Sequence, residues 1–147
     1  MPEASQQTST STGNIICTTN KYDIGLYIKK KPDNDIELLN VFNNILEPTK
    51  KTIFEPQIIG LKKRYFQLKW LERYSWLAYS DELKGAFCKV CCLFFRDFRV
   101  GYQESGLLVS KPYTHWKDAI KRFNCHSSSK YHKQVTLIAE NFKYNQW

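Results

Sequence analysis

The sequence predicts a small α+β domain: a β-hairpin carrying a pair of cysteines packs on two C-terminal helices, behind a short helical extension at the N-terminus. Three observations predict it. Two short apolar runs, Ser75-Trp76-Leu77-Ala78-Tyr79 and Gly85-Ala86-Phe87-Cys88, flank the polar turn from Ser80 to Lys84, the pattern of two strands joined as a hairpin. Trp116, Ala119, Ile120 and Phe123 recur at i, i+3, i+4 and i+7, one face of a helix, and Tyr131, Val135, Ile138, Ala139 and Phe142 mark a second helix beyond an N-cap in Ser127-Ser128-Ser129. Third, eighteen of the 22 aromatic residues, all three histidines and four of the five cysteines lie within residues 61–147.

In chain order, residues 1–20 are rich in Ser, Thr, Gln and Asn and hold too little apolar surface to offset the entropy of ordering, so a disordered tail is expected. Residues 21–60 form the extension. A short extended piece, Asp23 to Ile28, runs into the cations Lys29-Lys30-Lys31 and the breaker Pro32. Asp33-Asn34-Asp35 then offers N-cap residues to a helix carrying Leu38, Leu39, Val41, Phe42, Ile45 and Leu46, stopped by Pro48. From Pro48 to Gly60 the pattern is irregular and reads as a connector. Residues 61–145 are the main domain, opening with Lys62-Lys63-Arg64 and an aromatic block, Tyr65 to Leu71, that fits helix or strand.

A chain of 147 residues that is 42% hydrophobic has the length and core of one domain rather than a multidomain enzyme. No stretch approaches the roughly 20 apolar residues of a membrane span, and the N-terminus lacks a secretory signal pattern. The expected compartment is therefore reducing, where five cysteines serve as thiols or metal ligands rather than as disulfides. The net charge of +8 is unevenly spread: residues 1–60 hold six Lys and seven acids, residues 61–147 sixteen Lys and Arg against seven acids. A basic domain of this kind suits a polyanion such as nucleic acid, although a basic surface that binds nothing has the same composition.

Cys88-Lys89-Val90-Cys91 is a C-x2-C pair, which lets two thiolates converge on one tetrahedral zinc ion from a tight turn. His126 and His132 are separated by five residues, within the H-x3–5-H range of such sites. At about 100° per residue both histidines fall at the edges of the apolar helix faces, so both rings can point inward. The 34 residues between Cys91 and His126 exceed the roughly twelve of an ordinary Cys2His2 finger. A loop from Arg96 to Pro112 accommodates them, because closure cost grows slowly with length. Cys92, His115 and Cys125 remain competing ligands; Cys92 would face away from Cys91 if the strand continued.

Phe66-Gln67-Leu68-Lys69-Trp70-Leu71-Glu72-Arg73-Tyr74-Ser75-Trp76-Leu77-Ala78-Tyr79-Ser80, followed by Gly85-Ala86-Phe87-Cys88-Lys89-Val90-Cys91-Cys92-Leu93-Phe94, Trp116-Lys117-Asp118-Ala119 and His126-Ser127-Ser128-Ser129-Lys130-Tyr131-His132, resembles the TTF-type zinc finger. That family is related to the BED-like fingers of hAT-type transposases and of the zinc finger MYM-type proteins derived from them. Asp23-Ile24-Gly25 and the short helix resemble the lead-in of these proteins, so the likeness covers roughly residues 20–140. It implies one structural Zn2+ held by Cys88, Cys91, His126 and His132, a zinc-stapled fold, and DNA binding in the nucleus. In such proteins a ribonuclease-H-like catalytic domain follows the finger, whereas here the chain ends at Trp147.

No HExxH, GxxxxGK[ST] or GxSxG motif supplies a reaction, and four protein ligands leave no position for an activated water, so no enzyme and no small-molecule substrate are expected. The expected partner is DNA, with Lys117, Lys121, Arg122, Lys130 and Lys133 facing phosphates, and Asn124 or Arg122 nearest to base-reading geometry. The alternative is a zinc-stapled protein-interaction module that binds no DNA and uses an exposed aromatic such as Tyr102, Tyr113 or Trp147.

Overall fold

The computed structural model describes residues 20–28, 30–94 and 107–144. The tail expected over residues 1–20 lies outside these, apart from Asn20, as do Tyr102 and Trp147. The first element among the described residues is a 3-10 turn, Ile24–Tyr27, where the sequence suggested an extended piece. Asp23 explains the difference: its carboxylate accepts the Gly25 N–H at 2.8 Å and so closes the turn. Helix α1 spans Asp35–Asn43, with Asn34 as the N-cap accepting from the Glu37 N–H at 2.8 Å. It ends before Pro48, at Asn44, leaving Ile45 and Leu46 outside the helix.

A hairpin that the irregular sequence before Gly60 did not announce follows, β1 (Gln57–Ile59) paired antiparallel with β2 (Lys62–Arg64). Its two-residue turn places Gly60 at φ 60°, the left-handed region that glycine occupies without steric cost. The aromatic block is helical only in its second part: residues 65–68 lead into α2, which covers Lys69–Arg73 and buries Trp70. The expected hairpin is present as β3 (Leu77–Ser80) and β4 (Gly85–Cys88), every residue of both strands being buried. The outer edge of β4 is also covered, since Ala86 and Tyr113 exchange backbone hydrogen bonds of 2.9 and 3.0 Å and the Cys88 N–H donates to the Leu108 carbonyl at 2.7 Å. Gly85 permits this approach, because a side-chain carbon there would collide with the Pro112 ring.

After β4 the chain turns at once into helix α3, Lys89–Leu93. A 3-10 turn, Trp116–Asp118, leads into α4, Ala119–Ser128, and α5 covers Lys130–Tyr144. The predicted faces point inward: Trp116, Ala119 and Phe123 are buried on the first helix, Tyr131, Val135 and Ala139 on the second, with Ile120 and Phe142 packed at the margin. The fold is thus α+β, as the sequence predicts, and among the described residues it carries two small antiparallel hairpins where one was expected.

One buried cluster runs from Ile24 in the extension to Ala139 in α5. Its centre is aromatic. Phe123 meets Trp70, Tyr74 and Trp76 edge to face with centroids 5.3–5.8 Å apart, and Trp116 meets Phe66 in the same way at 5.6 Å. Such pairs add about 0.5–1.5 kcal/mol each beyond area burial. The extension joins through Phe42, which stands against Phe94 at 5.1 Å, and Phe94 in turn against Phe142 at 5.4 Å. The Lys31 ammonium donates to the Cys92 carbonyl at the end of α3.

Asp23 is the polar tie between extension and hairpin. Only 3% exposed, it accepts from the Ser80 hydroxyl at 2.6 Å and the Glu82 N–H at 3.0 Å in addition to Gly25. Replacing it by alanine strands three donors in the interior, so Asp23→Ala is expected to cost about 1–3 kcal/mol in urea unfolding. Asp35→Ala, at an exposed first-turn position of α1, should cost less than about 1 kcal/mol. Equal effects would show that the Asp23 tie contributes nothing specific.

Candidate metal centre

Cys88 is the last residue of β4 and also the N-cap of α3, its sulfur accepting the Cys91 N–H at 3.4 Å. The capping bond brings the third residue of the helix back over the strand end, which is why the C-x2-C spacing puts both sulfurs on one side. His126 lies in the last turn of α4 and His132 in the first turn of α5. Between them Ser129 leaves the helical region at ψ 149°. Its hydroxyl donates to the His126 carbonyl at 2.8 Å and accepts the His132 N–H at 3.1 Å, so one N-cap fixes the backbone of both histidines.

The four donor atoms all lie within 4.8 Å of one another, close enough for one ion to touch every one of them. His126 presents Nε2, 3.5 Å from Cys91 Sγ, while His132 presents Nδ1, 3.5 Å from Cys88 Sγ and 3.6 Å from Cys91 Sγ. The two ring nitrogens are 3.1 Å apart. Both cysteines and His132 are buried, and His126 is half-buried. Four Cys and His side chains therefore converge where a metal ion could be held.

The electrostatics favour a cation. Burial works against charge on Cys88, yet hydrogen bonds from Cys91, His126 and His132 outweigh it and hold this thiol well below its ordinary value. Cys91 is pushed the other way, first by its hydrogen bond to Cys88, then by burial and by the Cys88 charge. The protein's own groups thus support one thiolate, and a cation between the sulfurs is what would allow the second.

The competing ligands are directed elsewhere. Cys92 is buried, but its thiol donates to the Val109 carbonyl at 3.3 Å; the chain turns helical at Lys89, so Cys92 is carried about 100° past Cys91 rather than across a strand. Burial, then the Cys88 charge, raise its pKa well above the ordinary value. Cys125 is exposed. His115 packs at a tilt against Tyr113, with centroids 5.7 Å apart, and meets the Gln57 amide.

Trp76 was not singled out as a site residue by spacing, yet it forms the floor of the centre. Its ring stands 4.8 Å from that of His126 and 5.5 Å from that of His132, and its Nε1–H donates to the Ser127 hydroxyl at 2.9 Å. The only trace of this in the sequence is the Trp76-Leu77-Ala78-Tyr79-Ser80 run.

Lys117, Lys121, Arg122, Lys130 and Lys133 are all exposed, the first three around the start and first turns of α4 and the last two in the first turn of α5. Asn124 is exposed, and its amide oxygen accepts from the Tyr74 hydroxyl at 2.7 Å. Tyr113 is only 2% exposed, so it cannot act as a surface aromatic anchor. Among the described residues no helix is long and apolar enough to cross a membrane. No family model, curated protein or solved structure matches the chain.

Proposed function

We propose that the chain is a zinc-dependent DNA-binding module of the TTF type, with one structural Zn2+ on Cys88, Cys91, His126 and His132 and a nuclear site of action. The observation that carries the reading is the spacing of the four donors. A tetrahedral ion with Zn–S of about 2.3 Å and Zn–N of about 2.0–2.1 Å sets its S···N edges near 3.5 Å and its N···N edge near 3.3 Å. Three of the four S···N separations here are 3.5, 3.5 and 3.6 Å and the N···N separation is 3.1 Å, with all donor pairs within 4.8 Å. Mixed sulfur and imidazole donors are the set that zinc takes in structural sites. With four protein ligands such an ion joins the hairpin to α4 and α5, supplying stability rather than a reactive water, and no catalytic role is proposed.

DNA is proposed as the partner because the basic excess lies in the same part of the chain as the centre, with Lys117, Lys121, Arg122, Lys130 and Lys133 exposed. Affinity for duplex DNA should fall by about 0.9 log unit per log unit of salt for each phosphate neutralised. Each single Lys→Ala change at Lys117, Lys121, Lys130 or Lys133 should reduce the slope by about one. Zinc-loaded protein with no salt-dependent association up to about 10⁻⁴ M would sink the DNA reading in favour of a protein-interaction module.

A further inference from the structure

Helix α4 is not the only cationic element on this side of the molecule. Strand β2 consists of Lys62, Lys63 and Arg64, all exposed, and the ion pairs of the described residues, Lys21 with Glu37 and Lys84 with Asp81, involve none of them. The β1–β2 hairpin also exposes its apolar side chains: Ile58 is 64% exposed and Leu61, in the turn, fully so. A two-stranded hairpin is marginal by itself in water, and from Ile58 to Arg64 this one buries nothing. Packing among the described residues therefore gives no reason for its composition.

Gln57, at the base of β1, fixes where the hairpin stands. Its side-chain oxygen accepts the Lys117 N–H at 2.9 Å and its amide nitrogen lies 3.4 Å from the His115 ring, so the hairpin is rooted at the start of α4. Residues opposite one another in an antiparallel pair share a face, and Gln57 is paired with Arg64 and Ile59 with Lys62. Lys62 and Arg64 thus lie on the same face as Gln57, the one turned toward Lys117, while Lys63 shares the other face with Ile58. Ribbon and helix together form one cationic angle.

We propose that the β1–β2 hairpin is a second DNA-contacting element, a cationic ribbon that enters a groove of duplex DNA beside α4. A major groove about 12 Å wide admits a two-stranded ribbon, and the charges of Lys62, Lys63 and Arg64 complement the phosphates that line it. Leu61 at the tip is then the side chain carried toward the base edges. The inference rests on the DNA-binding reading above and extends it to a separate element.

The test uses the full zinc-loaded chain and a mixed-sequence duplex, with affinity followed across salt concentration. Lys62→Ala, Lys63→Ala and Arg64→Ala combined should lower the salt slope by about two to three, with the thermal midpoint unchanged because all three side chains are exposed. The same triple change to Gln, which keeps side-chain length, should do the same. Lys117→Ala, Lys121→Ala and Arg122→Ala combined report on the helix independently. A full slope in the ribbon variant beside a lowered slope in the helix variant overturns the ribbon and leaves the DNA reading standing. Wild-type chain with no salt-dependent binding overturns both. Leu61→Ser should weaken binding several-fold at fixed salt and leave the slope unchanged; if it instead dissolves a self-associated species in sedimentation while DNA binding persists, the ribbon is a contact between copies of the chain and the proposal fails.

Discussion

Chelation of the metal is expected to unfold the chain well beyond the ligands themselves. A structural zinc contributes about 10–16 kcal/mol in finger peptides, which is as large as the roughly 5–15 kcal/mol net stability of an ordinary domain. Here the ligands are drawn from two separated parts, the β4–α3 junction and the α4–α5 junction, and 34 residues intervene between Cys91 and His126. Without a cation, the described side chains of the two junctions meet at the centre through hydrogen bonds among two sulfurs and two imidazoles that are mostly withdrawn from water. Residues 61–147 should therefore lose their circular dichroism on chelation. The extension should follow, since Ile24, Leu38 and Val41 belong to the same buried cluster. Adding zinc back should restore the fold at one ion per chain. Cys88→Ser or His132→Ala should mimic chelation, whereas Cys125→Ser, at an exposed position, should retain both fold and stoichiometry. A chelated sample with an unchanged thermal midpoint would show that the aromatic core holds without the metal.

How much of this was legible in the sequence depends on whether burial left a periodic trace. Helices α4 and α5 did leave one, because each buries one face in the common core, whereas the β3–β4 hairpin, buried at every position, was legible from two short apolar runs flanking the polar turn from Ser80 to Lys84. The β1–β2 hairpin did not: its strands have three residues each, nearly all exposed, so no alternation between buried and open positions exists to be read. Helix α3 was hidden for the opposite reason. Val90, Cys91, Cys92, Leu93 and Phe94 are all buried, and a short run buried on every side carries no period that separates helix from strand. The ligands were legible because two local spacings coincided with the edges of two apolar faces. The C-x2-C spacing already favoured Cys91 over Cys92, and the turn into α3 supplies the reason, carrying Cys92 away from the histidines. The roles of Trp76 and Ser129 were beyond reach, since they arise from contacts between the hairpin and the α4–α5 junction.

Trp116→Ala should reveal whether folding and metal binding are one event. Trp116 is 5% exposed and its ring stands among Phe66, Trp70, Tyr79 and Tyr113, with centroids 5.6–6.4 Å away. None of these neighbours is a metal ligand. Truncating a buried Trp costs about 3–5 kcal/mol, the lost transfer energy plus the cavity left among rings that cannot all move inward. If the metal-free chain is unfolded, the observed zinc affinity is the intrinsic affinity multiplied by the folding equilibrium, so the full cost appears in binding. At about 1.4 kcal/mol per factor of ten, Trp116→Ala should then weaken zinc binding by roughly two to four orders of magnitude from a position that touches none of the donors. Phe123→Ala, also about 3–5 kcal/mol, should weaken it at least as much, because Phe123 packs on Trp76 and Trp76 on the His126 ring. Competition against a chelator of known affinity measures both. A Trp116→Ala chain that melts earlier yet binds zinc as tightly as the wild type would mean that the fold forms before the metal arrives, and the centre would then be a late addition to a core already closed.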